Sequence, residues 1–336
     1  MIQNPLPSLP EVAALASAVV SEMGKVIEGK PEQLRIAVTV LLAEGHLLIE
    51  DVPGVGKTQL AKALARSIAG DVKRIQFTPD LLPSDVTGVS VFNQSTREFE
   101  FKQGGIFANI VVGDEINRAS PKTQSALLEA MAEGQVSADG HTYRLASPFM
   151  VIATQNPIEM EGTYPLPEAQ RDRFMARVTM GYPARQSEVA MLESHGGGDQ
   201  LVTVRPVTDV ATVAAAVRAI RAVYVAPVIN DYIVSIVDAT RHHPELRLGA
   251  SPRASLHLMR ASRAAAALAG RDYVIPEDVS ALAGIVLAHR ILPTVEAQGA
   301  RRGPARIIAP ANICAAVRRR PRLGTRCSSR VSPHPA

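Results

Sequence analysis

The sequence predicts an α/β fold: a parallel five-stranded sheet flanked by helices, followed by an all-α domain. Three observations predict it. Five short apolar runs alternate with helical patterns between residues 47 and 180, the arrangement that sets parallel strands between covering helices. The first run, Leu47-Leu48-Ile49, leads through a glycine-bearing turn into a helical pattern starting at Gln59. From Ser187 to about His289 the pattern becomes alanine-rich and helical, apart from glycines 196–198 and the run Val202–Val204.

In chain order, Ser8-Leu9-Pro10-Glu11 is a capping box with proline in the first turn, opening a helix to about Met23. Pro31 opens a second helix with Leu34, Val38, Leu41 and Leu42 on one face, and Gly45 closes it. After the first strand and its helix, Val72–Phe77 reads as a second strand. Residues 79–105 read as an insertion, in which Val91-Phe92 and Glu98–Phe101 flank Asn93–Thr96 as a hairpin. Ile110–Glu115 is a buried strand ending in two acids, and Ser120-Pro121 caps a helix that Gly134 ends. Val136–Tyr143 around Asp139-Gly140 is a second hairpin, because Asp-Gly suits a type I′ turn. Phe149–Ala153 and Arg177–Met180 complete the five strands.

Composition narrows the function classes. A chain of 336 residues with 46% apolar content has room for two domains and a core. No apolar stretch is long enough to cross a bilayer, and the proline-bearing N-terminus lacks the basic leader of a signal peptide. Cys314 and Cys327 both lie in the tail, which fits a reducing cytoplasm rather than a disulfide framework. The chain carries +4, yet residues 301–336 hold nine arginines and no acid, so the rest carries 4 − 9 = −5. The body is mildly acidic, unlike a nucleic-acid binder.

The chemistry begins at Asp51-Val52-Pro53-Gly54-Val55-Gly56-Lys57-Thr58. Strand, glycine turn and helix in that order form a phosphate-binding loop. Gly54 and Gly56 let backbone N–H groups close around phosphate oxygens, and the helix start adds its positive dipole end. Lys57 is placed to reach the β/γ-phosphates of ATP and Thr58 to ligate Mg²⁺. Asp51 stands where the strict pattern has its first glycine. Asp114-Glu115 at the next strand end supplies an acid for Mg²⁺ (Asp114) and a base for water (Glu115). Asn156 ends the following strand, where ligands of open α/β sheets bind. Arg171, Arg173 and Arg253 are candidates to stabilise charge on a transferring phosphoryl group.

Gly113-Asp114-Glu115-Ile116-Asn117-Arg118-Ala119, Ala153–Glu159 and Glu161–Gln170 resemble MoxR-type AAA+ ATPases, and the likeness extends over roughly residues 10–308. The resemblance implies an AAA+ P-loop NTPase core at 27–185 and a helical lid at 186–295. Residues 1–26 would be an N-terminal helical segment, and 296–336 a closing segment and basic tail. It implies that Pro53, Gly54, Val55, Gly56, Lys57, Thr58 and Gln59 hold the nucleotide, with Val26, Ile27 and Gly29 along adenine. It makes Thr58 and Asp114 the metal ligands, Glu115 the base, Asn156 sensor 1, Arg173 the arginine finger and Arg253 sensor 2. It also implies a homo-oligomeric ring, a hexamer, that remodels a protein client, alongside partners with a von Willebrand factor A domain. Metal or cofactor insertion is one such maturation. Arg171 stands where the family usually has an apolar residue, and the tail beyond 309 departs from the family, with the composition of GC-rich coding read in another frame.

Two rival classes remain at this point. A nucleic-acid motor shares the same insertions, but the acidic body and 4% aromatic content offer few stacking platforms. A non-hydrolysing nucleotide scaffold would not need Glu115, Asn156 and Arg173 together.

Overall fold

The computed structural model describes residues 6–52, 54–156, 162–183, 185, 186, 188, 189, 200–300 and 303–308. Pro53, residues 157–161, glycines 196–198 and the tail from 309, with Cys314 and Cys327, lie outside the described residues.

Helix α1 (Leu9–Gly24) starts at the capping box, where the Glu11 carboxylate accepts from both the backbone N–H and the hydroxyl of Ser8 at 2.7 Å. Helix α2 (Pro31–Leu42) follows, then β1 (Leu47–Glu50), α3 (Lys57–Ser67) and β2 (Val72–Gln76). The insertion folds as a short helix α4 (Pro83–Thr87) and the hairpin of β3 (Gly88–Asn93) and β4 (Glu98–Gln103). Strand β5 (Ile110–Asp114) and helix α5 (Pro121–Glu133) come next. The second hairpin pairs β6 (Gln135–Ala138) with β7 (His141–Arg144), and positive φ at both Asp139 and Gly140 fits a type I′ turn. Strand β8 (Met150–Gln155), a short α6 (Glu168–Arg171) and β9 (Ala176–Val178) complete this part.

The sheet order is β2-β5-β8-β1-β9, and every pairing is parallel. Both faces are buried, as parallel sheets require. Leu47, Ile49, Ile110, Val112, Met150 and Ile152 face α1–α3, while Leu48, Val111, Val151 and Ala153 face α5. Strand β9 starts one residue before its expected start and stops at Val178 rather than Met180, because β1 offers it only Leu47–Ile49 as partners. The chain then turns toward the loop after β1.

The lid consists of α7 (Val210–Arg221), α8 (Pro227–Arg241), α9 (Pro252–Leu268) and α10 (Pro276–Leu287). A small antiparallel pair joins β10 (Leu246–Leu248), between α8 and α9, to β11 (Leu292–Pro293) after α10, and α11 (Val295–Gly299) and α12 (Pro304–Ile307) follow. Helix α1 packs against α2, α3 and helix α9. No helix among the described residues is long and apolar enough to cross a membrane.

His46 locks the entry to β1. Its Nδ1 accepts from the Val151 N–H at 3.0 Å, and its Nε2 donates to the Met131 carbonyl at 3.1 Å. Burial pushes its pKa down to about 4, against a smaller opposing effect of the Met131 bond. The neutral ring is therefore stabilised by folding. That contribution is complete above about pH 6.5, where the unfolded histidine titrates, and is lost as pH falls toward 4. We expect His46 alone to cost about 2 kcal/mol of stability between pH 7.5 and 5. Urea unfolding of wild type and His46→Gln at both pH values checks this. The variant should show a smaller pH difference, and an equal difference would remove His46 from the account.

Candidate nucleotide site

The loop after β1 is built by two glycines. Gly54 and Gly56 have φ of +82° and +83°, conformations that a side chain would strain. Gly56 is the N-cap of α3 and offers no side-chain cap, so the first-turn N–H groups face outward for an anion. Lys57 Nζ donates to the Asp51 carbonyl at 2.8 Å, laying the ammonium across the loop. Burial lowers the Lys57 pKa, while the charges of Asp51, Asp114 and Glu115 pull it back up.

Asp51 has a structural reason to replace glycine. Its backbone is outside the left-handed region, so no glycine is required there. Its carboxylate accepts from the Val52 N–H at 2.8 Å and from the Gly181 N–H, fastening the loop to the segment after β9.

The two acids at the end of β5 are held from three sides. Asp114 Oδ2 accepts from Thr58 Oγ1 at 3.2 Å and from Arg74 Nε at 2.6 Å, and its Oδ1 accepts from Thr154 Oγ1 at 3.2 Å. Glu115 leaves the strand at φ +57°, a conformation uncommon outside glycine. Its N–H donates to Thr154 Oγ1 at 3.0 Å. Its Oε2 accepts from Gln76 Nε2 at 3.2 Å and lies 2.9 Å from Arg118 Nε. Sequence reasoning missed Arg74, Gln76, Arg118 and Thr154. Their signal is the alternation of Arg74 and Gln76 on β2, whose Gln76 is in register with Asp114.

The other expected binding residues divide into two groups. Ile27 is buried, and its Cδ1 lies 3.7 Å from where a Cβ on Gly56 would stand. Val26 and Val55 pack against the same core, Gly29 turns at φ +72°, and Gln59 is exposed on α3. Asn156, buried, follows β8 between β5 and β1.

Arg173 and Arg253 are not brought to the loop. The Met175 N–H donates to the His46 carbonyl at 2.8 Å, so residues 172–175 approach the end of β1 opposite the phosphate loop. Arg173 donates to the Leu128 carbonyl of α5 at 2.5 Å. Arg253 lies 3.5 Å from Asp172 Oδ2, beside Arg173 rather than Lys57. The Ser251 hydroxyl lies 2.8 and 2.9 Å from the two Asp172 oxygens, and buried Arg290 donates to Oδ1 at 2.9 Å. Burial pushes the Arg290 pKa down to about 10, with Asp172 opposing that shift. The lid is thereby clamped to the segment that carries Arg173.

The donor set around Thr58 fits a hard divalent cation. A hydroxyl and a carboxylate oxygen already meet at 3.2 Å, and Mg²⁺ is ordinarily held by few protein oxygens plus substrate phosphates.

A five-stranded parallel sheet with helices on both faces, a glycine loop opening a helix and an acid pair on the adjacent strand end define a P-loop NTPase fold of the AAA+ class. Residues 46–176 match the ATPase family associated with various cellular activities, and residues 238–311 match the AAA lid domain. Chaperone MoxR1 of Mycobacterium tuberculosis is 42% identical over 300 residues, covering 85% of this chain and 78% of that protein. Protein YeaC of Bacillus subtilis, uncharacterised, is 52% identical over 284 residues, covering 84% and 89%. A crystal structure of a candidate ATPase from Cytophaga hutchinsonii superposes with a TM-score of 0.85 at 38% identity, covering 92% of this chain and 96% of that one. This chain belongs to the MoxR family of AAA+ ATPases.

Proposed function

We propose that this chain hydrolyses ATP with Mg²⁺ at sites shared between neighbours in a hexameric ring, and that turnover remodels a protein client. The observation that carries the proposal is the convergence of Thr58, Arg74 and Thr154 on Asp114, with Glu115 turned out of the strand beside it. Lys57 and the first-turn amides of α3 hold the β- and γ-phosphates. Thr58 and Asp114 hold Mg²⁺, which when bound neutralises charge on those phosphate oxygens. Glu115 accepts the proton of the attacking water, and Asn156 orients that water or the γ-phosphate. Attack at the γ-phosphorus releases ADP and phosphate.

Arg173 and Arg253 complete the site of the adjacent subunit. Their place at the opposite end of β1 supports that assignment, since a chain cannot turn them onto its own Lys57 without dismantling the Asp172 clamp. Residues 27–185 form the nucleotide core and 186–295 the lid, with 1–26 and 296–336 flanking them. The client role is supported by the relative named as a chaperone. By the same family likeness the protein works in the cytoplasm beside a von Willebrand factor A domain partner, on clients that include metal- or cofactor-dependent enzymes.

Glu115→Gln tests the proposal. An amide keeps the shape but cannot take a proton, so the expected loss of turnover is about 10²–10⁴-fold with ATP affinity retained. Glu129→Gln, an exposed acid on α5, should behave like wild type. Phosphate release and nucleotide titration check both, and equal turnover for Glu115→Gln and wild type would overturn the assignment.

A further inference from the structure

The proposed hydrolysis uses Arg173 but gives no part to Arg290, which follows α10 in the stretch that matches the AAA lid domain. The Arg290 side chain is only 1% exposed. Its guanidinium bonds to the chain on both sides of Arg173. Nε donates to Asp172 Oδ1 at 2.9 Å, and Nη2 donates to the Asp172 carbonyl at 3.1 Å and the Phe174 carbonyl at 2.5 Å. Within the lid, Nη1 donates to the Val286 carbonyl and Nη2 to His257 Nδ1, each at 2.6 Å. Arginine only donates, so Nδ1 is the bare nitrogen of that ring. Burial, then the charge of Arg290, pushes the His257 pKa down to about 2, which keeps Nδ1 an acceptor. His289 adds a second lid donor, its Nε2 3.0 Å from the Phe174 carbonyl. Arg171, the other candidate arginine, lies 3.9 Å from Glu168 on its own helix.

Burying a guanidinium is a poor route to stability, because desolvation offsets what the ion pair returns. What a buried planar fork supplies is fixed geometry. Here the fork holds backbone on either side of one residue, and the N–H of that residue, Arg173, is bonded in turn to the Gln170 carbonyl at 3.1 Å. The Arg173 side chain can leave the Leu128 carbonyl while its Cα stays where Arg290 puts it. We infer that Arg290 is a positioning residue for Arg173: from the lid, it fixes the backbone from which Arg173 reaches the neighbouring active site. In a ring built this way, the lid of one chain sets the arginine that the next chain uses. The inference rests on the hydrolysis reading and on Arg173 acting between chains.

The test uses full chains carrying Arg290→Lys, which keeps a cation for Asp172 but has no planar fork to span the 172 and 174 carbonyls. Turnover should fall by on the order of 10²-fold, the scale of a misplaced reacting group, with ATP affinity near wild type. Added to Arg173→Ala, the substitution should cost little further turnover, because no arginine is left to place. Mixed with Lys57→Ala subunits under verified exchange, Arg290→Lys should regain activity, since its intact loop then faces a properly held Arg173. A role confined to its own nucleotide site, or a general loss of structure, predicts no recovery. Wild-type turnover, lost ATP affinity, a further full loss on top of Arg173→Ala, or exchanged mixtures that stay inactive would each overturn the inference. If Arg290→Lys does not fold, Asp172→Asn, isosteric but without the charge that Arg290 meets, goes through the same measurements with the same outcomes deciding. The control is Arg173→Ala mixed with Lys57→Ala. Recovery there but not for Arg290→Lys overturns this inference alone, and recovery in neither overturns action between chains as well.

Discussion

Replacing Lys57 by alanine is expected to weaken ATP binding by on the order of 10²-fold or more, with the fold intact. The figure follows from removing a charge-assisted contact from a half-buried position, worth about 1.5–3 kcal/mol per hydrogen bond to a charged group. Lys57 is the one side-chain cation of the loop, and it already lies inside it, on the Asp51 carbonyl. Losing that bond costs the free protein little, since the carbonyl gains water when the side chain goes. Lys62→Ala, on the same helix, should leave affinity unchanged. Titration with ATP in the presence of Mg²⁺ separates the two variants, and near-wild-type affinity in Lys57→Ala would mean that the loop does not hold the phosphates.

Arg173→Ala should show the opposite division. Turnover is expected to fall by about 10³-fold or more while ATP affinity hardly changes, because the arginine acts on charge that develops during transfer. Stability should drop by about 1.5–3 kcal/mol at most, the worth of the charged guanidinium's hydrogen bond to the Leu128 carbonyl. To serve a neighbour, Arg173 must leave that carbonyl, so assembly has to offer it a better partner. Arg173→Lys retains charge but not the planar fork, and should recover only part of the rate. Steady-state kinetics with nucleotide titration on the same samples checks both. A large affinity loss in Arg173→Ala would place the residue in ground-state binding instead.

Much of this site is legible along the chain because it is local. Strand, glycine turn and Lys-Thr on a helix start occupy a dozen residues, and the acid pair ends a run of apolar side chains. The Ser8–Glu11 capping box and the Asp139-Gly140 turn are equally short-range. What escapes is set by strand order and by the lid. Arg74 and Gln76 read as ordinary exposed positions on a strand until β2 is placed beside β5, where they meet Asp114 and Glu115. Asp172 gathers Ser251 and Arg290 from 79 and 118 residues away, separations that no periodicity reports. The pair β10–β11 is too short for an alternation signal. Asp51 is the converse case: its departure from the glycine pattern is plain in the sequence, and only its bonds to Val52 and Gly181 explain it.

The central claim is that each active site takes its loop from one chain and its arginines from the next. Lys57→Ala and Arg173→Ala subunits, each nearly inactive alone, test it when mixed under conditions of verified subunit exchange. Wherever the intact loop of an Arg173→Ala subunit faces the Arg173 of a Lys57→Ala subunit, one complete site forms, so the account predicts that ATPase activity returns. Mixtures that exchange subunits and stay inactive would contradict it.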